Sequence, residues 1–193
     1  MFRRVLAWAA AVIAGLGLGA ASAWAAISIG GASFGQDVGQ WSTNRATGST
    51  AADPYTRAIV ARVGLLALSQ REAIYFNLDR DDRGDRLSES CIYDLTGRDL
   101  DARWWSVTLY ADDNFLAQNN DHAASIDASH IAPGRWRARI APVRGDATYW
   151  LSSREARRNF SLTLRVYNPH RDFRPSAETL PELTRISCAE GAA

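Results

Sequence analysis

Ala102-Arg103-Trp104-Trp105-Ser106-Val107-Thr108-Leu109-Tyr110 is the stretch that decides the fold. It is dense in β-branched and aromatic residues, which favour a pleated, half-buried strand. Alternate side chains of a strand point to opposite faces. Trp105, Val107 and Leu109, with Arg103, therefore form one face, and Trp104, Ser106, Thr108 and Tyr110 the other. A second run, Asn159 to Tyr167, repeats the scheme, with Phe160, Leu162, Leu164 and Val166 set against Ser161, Thr163, Arg165 and Tyr167. Two such runs predict a β-sheet domain whose sheet has one apolar face and one polar-aromatic face.

Outward from these strands the period-two pattern recurs. Glu72 to Leu78, Leu87 to Leu95, Ser125 to Asp127, Arg135 to Ala141 and Thr148 to Leu151 read as further strands, and Leu180 to Cys188 as an edge strand. In the second of these, Leu87, Cys91, Tyr93 and Leu95 share a face. Asp79 to Arg86 around Gly84, and Thr96-Gly97-Arg98-Asp99, read as turns, and Phe115 to Gln118 as a turn of helix. Short, regularly spaced strands with turn signals between them predict a mainly β fold: an antiparallel sandwich or jelly-roll-like domain. One amphipathic helix precedes it over residues 54–70. Asp53 is its N-cap, Pro54 its first residue, and Ile59, Val63, Leu66 and Ala67 form an apolar stripe to pack on the sheet.

The chain divides into three parts. Arg3-Arg4 precede an uncharged stretch from Val5 to Gln36, apolar to about Ile27. A basic start, an apolar middle and the small-residue sites Ala21-Ser22-Ala23 and Ala23-Trp24-Ala25 describe a secretory signal peptide over 1–27. Roughly 20 apolar residues also suffice for an uncleaved signal-anchor. Either reading places the remainder outside the cytoplasm, on the periplasmic side of a cell envelope, in contact with a membrane only if the segment is retained. Residues 28–52 are rich in Gly, Ser, Thr and Ala around Trp41 and read as a flexible arm. Residues 53–190 form a single domain.

The net charge of +1 gives no bulk field for nucleic acid. All 22 cationic residues are arginine, which excludes a Schiff-base lysine and a P-loop. Cys91 and Cys188, the only cysteines, predict one disulfide in an oxidising compartment. No pair among the three histidines, His122, His130 and His170, has zinc spacing, and the aspartates around Gly84 miss the calcium-loop pattern at Arg83 and Ser90. Gly31-Ala32-Ser33-Phe34-Gly35 fits the nucleophile-elbow pattern formally but lacks the strand before it and the helix after it. No metal and no cofactor is called for.

Quoted in order, Asp53-Pro54-Tyr55-Thr56-Arg57-Ala58, Gly64-Leu65-Leu66-Ala67-Leu68, Glu72-Ala73-Ile74-Tyr75-Phe76, Asp82…Gly84…Leu87, the 102–110 strand, Leu164-Arg165-Val166-Tyr167-Asn168-Pro169 and Leu180-Pro181…Cys188 resemble the bacterial domain of unknown function 1214 family. The resemblance implies a mostly β, jelly-roll-like domain in an envelope protein and brings no catalytic residues. Where that family shows Asn, Arg and Ser spaced through a loop, this chain reads Asn119-Asn120-Asp121-His122-Ala123-Ala124-Ser125, with no arginine in it.

Two functional classes follow. In the first, the protein is a non-catalytic binding or structural module. Trp104, Ser106, Thr108 and Tyr110 then line a groove with Arg165 and Tyr167 that suits a glycan or small polar ligand, unless the helix covers that face. In the second, it is a hydrolase or lyase acting on glycans or small polar envelope molecules, with Glu72, Glu89 or Asp112 as general acid or base. A deep pocket joining two carboxylates favours the enzyme; a shallow aromatic groove favours binding.

Overall fold

In the computed structural model, residues 2–29, 35–44, 49, 52–63 and 68–189 are described. The element order is α1 (Phe2–Ile29), β1 (Gln36–Val38), β2 (Trp41–Thr43), α2 (Pro54–Val63), β3 (Ala73–Leu78), β4 (Cys91–Arg98), β5 (Ala102–Ala111), β6 (Ser125–Asp127), β7 (Arg135–Ala141), β8 (Tyr149–Ser152), β9 (Phe160–Pro169) and β10 (Glu182–Cys188). The strands make two sheets, one of six strands in the order β1-β2-β3-β9-β5-β6 and one of four in the order β10-β4-β7-β8. Every pairing is antiparallel except β7 with β8. The expected mainly β fold is thus present, with a single parallel pair in its smaller sheet.

The apolar faces meet in one core. Trp105, Val107 and Leu109 of β5 lie beside Phe160, Leu162, Leu164 and Val166 of β9, all buried. From the smaller sheet come Tyr93, Leu95, Trp136, Ile140, Leu151 and Leu183. Trp105 stacks on Trp136 with ring centroids 5.1 Å apart, and Tyr93 meets Phe160 edge-on at 5.8 Å. These ring pairs bridge the two sheets, adding specific geometry to area burial. Gly97 is required under the stack: a Cβ there would come within 2.4 Å of the Trp136 ring.

Several local expectations are corrected. Thr96-Gly97-Arg98 is the end of β4 rather than a turn, because β7 pairs with β4 as far as Arg98 and β10 pairs with it as far as Thr96. Leu87 is buried as expected but precedes the strand. Phe115 to Gln118 is not helical. The arm composition of 28–52 hides a hairpin, β1–β2, whose turn runs through Gly39 at φ +63°. Trp41 explains it: the ring is buried and its indole N–H donates to the Pro181 carbonyl at 2.6 Å. The neighbouring Gln40 amide donates to the Leu183 carbonyl and accepts from the Leu183 N–H, standing in for a strand beside β10.

Asp53 caps α2 as read, accepting from the N–H groups of Tyr55 and Thr56. The Thr56 hydroxyl, which donates to the same carboxyl, contributes most to holding it below the usual range, and these N–H bonds add to it. The apolar stripe of that helix, and Gly64, lie outside the described side chains. The charged turn between β3 and β4 is tied down rather than simply solvated. Asp81 is buried, accepts from the N–H groups of Arg83 and Asp85, and faces Arg185 of β10 at 3.1 Å.

Cys91 and Cys188 stand directly opposite each other on β4 and β10 and are joined by a disulfide. A structural disulfide points to an oxidising compartment. Helix α1 is exposed over most of Phe2–Ile27, a segment apolar enough to cross a membrane, a test that a signal sequence also passes.

Candidate functional site

The antiparallel register of β5 and β9 puts Trp104 opposite Tyr167, Ser106 opposite Arg165, Thr108 opposite Thr163 and Tyr110 opposite Ser161. All six residues expected at the groove therefore share the outer face of the six-stranded sheet. At one end Trp104 and Tyr167 form an aromatic pair, centroids 5.3 Å apart and inclined at 48°. The Trp104 indole N–H donates to Ser129 Oγ at 2.9 Å, and the turn carrying Ser129 is fixed by its own N–H donating to Asp127. Both rings remain partly exposed.

At the other end Arg165 reaches along its own strand. Its guanidinium donates to Thr108 Oγ1 at 3.0 Å and to the Tyr110 hydroxyl, and its Cζ stands 5.4 Å from the centre of the Tyr110 ring. That path crosses the Thr108–Thr163 pair. It accounts for the burial of both hydroxyls. Thr163 instead donates to Asn77 Oδ1 at 2.9 Å. Ser106 is also buried. Ser106, Thr108 and Thr163 thus form the floor, and the residues of β5 and β9 open to solvent on this face are Trp104, Tyr110, Ser161, Arg165 and Tyr167.

Strand β3 extends the face, with Tyr75 opposite Arg165 and Asn77 opposite Thr163. The alternation of Ala73, Tyr75 and Asn77 was readable, but not that β3 would lie beside β9. Burial pushes the Tyr75 hydroxyl above the usual phenol range, against a hydrogen bond from the Leu68 backbone. Beyond Tyr75 a cavity of about 290 Å³ opens, lined also by Thr43, Gln70, Phe173 and Arg174. A second hollow of about 250 Å³ beside Asp99, Asp101 and Asp172 shares Phe173 and Arg174 with it. None of the six groove residues lines either.

The carboxylates considered as acid or base are engaged elsewhere. Glu72 accepts from the Ser69 hydroxyl and N–H, which lowers its pKa. Glu89 accepts from the N–H groups of Glu155 and Arg158, clasping the turn before β9. Asp112 is exposed, and its N–H donates to the Ala156 carbonyl of that same turn. None of the three lines either cavity. The histidines stay apart: His130 pairs with Asp127 and His170 with Asp101, and no group of three metal-ligating side chains occurs among the described residues. Gly31 to Phe34, within the formal nucleophile-elbow match, lie outside the described residues.

An arginine from another part of the chain meets the 119–125 loop. Arg154, just past β8, donates from two guanidinium nitrogens to Asp121, which also accepts from Ser152 Oγ at 2.6 Å. Asn119 Nδ2 donates to the Arg154 carbonyl. These bonds hold the Asp121 carboxyl below the usual range, the Arg154 guanidinium contributing most. No local pattern could have found this contact, since Asp121 and Arg154 are 33 residues apart.

No curated protein matches the chain. Among solved structures, the VPA0106 protein from Vibrio parahaemolyticus is similar in fold, with a TM-score of 0.57 and 22% identity, over 71% of this chain and 36% of that one. The chain spans little more than a third of that relative. An uncharacterised protein from Burkholderia cenocepacia aligns at 13% identity and a TM-score of 0.43, over 58% of this chain and 30% of that one. The description "protein of unknown function (DUF1214)" belongs to the family whose profile matches residues 72–171, a span running from the start of β3 past the end of β9 and holding every residue of the polar-aromatic face named above. With more than half of its length matched, the chain belongs to the DUF1214 family.

Proposed function

We propose that the protein is an exported cell-envelope module, held in the periplasm free or by α1, that binds a glycan or similar polar ligand without transforming it. The observation that carries this reading is the outer face of the six-stranded sheet. It offers two partly exposed aromatic sites, Trp104–Tyr167 and Tyr110, with the Arg165 guanidinium between them in sequence register. Aromatic rings accept the apolar face of a sugar, while a guanidinium donates to its hydroxyls. Thr108 and Tyr110 fix Arg165 beforehand, which lowers the ordering cost of binding. The enzyme reading gains no comparable support, because Glu72 and Glu89 are spent on backbone N–H groups.

The test is titration of the purified protein with soluble peptidoglycan fragments, followed by saturation-transfer NMR and tryptophan fluorescence. Binding should be abolished by Trp104→Ala and weakened at least about tenfold by Arg165→Gln, the scale of a lost charge-assisted hydrogen bond. Binding unchanged in both folded variants, or product release from the fragments, would reject the proposal.

A further inference from the structure

The opposite outer face of the sandwich, that of the four-stranded sheet, carries a different chemistry. Strand β7 places Arg135, Arg137 and Arg139 at successive outward positions, with Trp136, Ala138 and Ile140 inward. On β4, Gly97 underlies the Trp136 ring, so Arg98 points outward, directly opposite Arg135. Like charges directly opposite on one sheet face are destabilising. The pair occurs in a chain whose net charge is only +1.

The counter-charges on this face do not neutralise it. Asp94, opposite Arg139, lies 3.2 Å from that guanidinium and 3.8 Å from Arg137. Asp146, fully exposed, meets Arg139 at 3.6 Å. Glu182 sits across Thr96 on β10. Arg98 donates one N–H to the Glu178 carbonyl. Arg135 makes no ion pair among the described residues, and the Arg137 side chain is 68% exposed. Arg98, Arg135 and Arg137 thus form a cationic array on neighbouring positions of β4 and β7, and the half-buried Trp150 of β8 lies opposite Arg139 at the far end of β7.

We propose that this arginine face docks on a membrane surface of anionic phospholipid. Guanidinium groups bind phosphate in a fork geometry that ammonium groups cannot offer. The array lies on the outside of a sheet; Arg135 and Arg137 line neither cavity described above and Arg98 lines only the second hollow, so an extended anionic plane fits the three together better than a small anion, which needs enclosure. The apolar helix at the chain's own N-terminus supplies the proximity to such a surface when it is retained.

The full chain is reconstituted in vesicles of phosphatidylcholine alone or mixed with phosphatidylglycerol. Arginines are then modified with a water-soluble glyoxal reagent and read by peptide mass spectrometry, with exposed Arg171, off the sheet, as internal reference. Modification of Arg98, Arg135 and Arg137 should fall about fivefold in the anionic vesicles, the scale of one arginine near such a surface. High salt should restore it, and Arg171 should not change. Equal modification in both vesicle types would overturn the proposal, as would equal protection of Arg171. Protection in phosphatidylcholine vesicles by added soluble heparin, with none from phosphatidylglycerol, would overturn it too and assign the face to an acidic glycan.

Discussion

Replacing Trp105 by alanine removes one half of the Trp105–Trp136 stack and empties a site that is 2% exposed. The expected cost is about 3–5 kcal/mol, the range for deleting a buried aromatic ring. Denaturant titration of the purified variant checks it, and an unchanged midpoint would mean that the strand is inside out. Asp121 carries a different kind of prediction. Its carboxyl is more acidic in the fold than in the unfolded chain, so the unfolded state binds more protons in acid. The stabilisation is therefore present above the ordinary aspartate value of 3.8 and is lost as pH falls through the lower folded value. Asp121→Asn should flatten the acid limb of melting temperature against pH while leaving its shape near neutrality unaltered. At this scale the facing of Trp105, Val107 and Leu109 was legible, because alternation needs only neighbours in sequence. The burial of Thr108 and Thr163 was not, because it depends on where Arg165 lays its guanidinium.

Strand β10 is an edge strand secured at both ends. Near its start, Gln40 bonds the Leu183 backbone in both directions, and at its end Cys188 is bonded to Cys91. Arg185, between them, pairs with Asp81 and Asp85 of the 79–86 turn. The disulfide closes a loop with a sequence separation of 97. Chain entropy alone assigns such a crosslink roughly 4–5 kcal/mol. The Cys91→Ala, Cys188→Ala double variant should lose stability up to that amount in urea unfolding. The wild type should match it once reduced, and non-reducing peptide mapping should find the linked pair in protein from the envelope. The pairing was legible from a count of two cysteines and the compartment. The β1–β2 hairpin was not: its composition reads as linker, and it becomes ordered because Trp41 finds a buried place under Pro181, far along the chain.

For the molecule as a whole, export is the expectation that organises the rest. A periplasm-active reporter fused to the C-terminus should be active, and activity confined to a cytoplasm-dependent reporter would contradict it. Export and the disulfide agree, since a structural crosslink persists only where thiols are oxidised. What the amino-acid sequence determined by itself is whatever is written in neighbouring residues: the apolar N-terminal segment, the capped start of α2, most of the strands and the inward set of each. Those follow from periods of two and of 3.6 residues, which the backbone imposes locally. Tertiary structure alone decided which strands lie side by side. It thereby assembled Trp104, Tyr110, Arg165 and Tyr167 on one face with Tyr75, brought Arg154 to Asp121, and set Arg98 against Arg135. Strand order costs chain entropy and is settled by burial of the whole core, a sum over contacts that no local pattern contains.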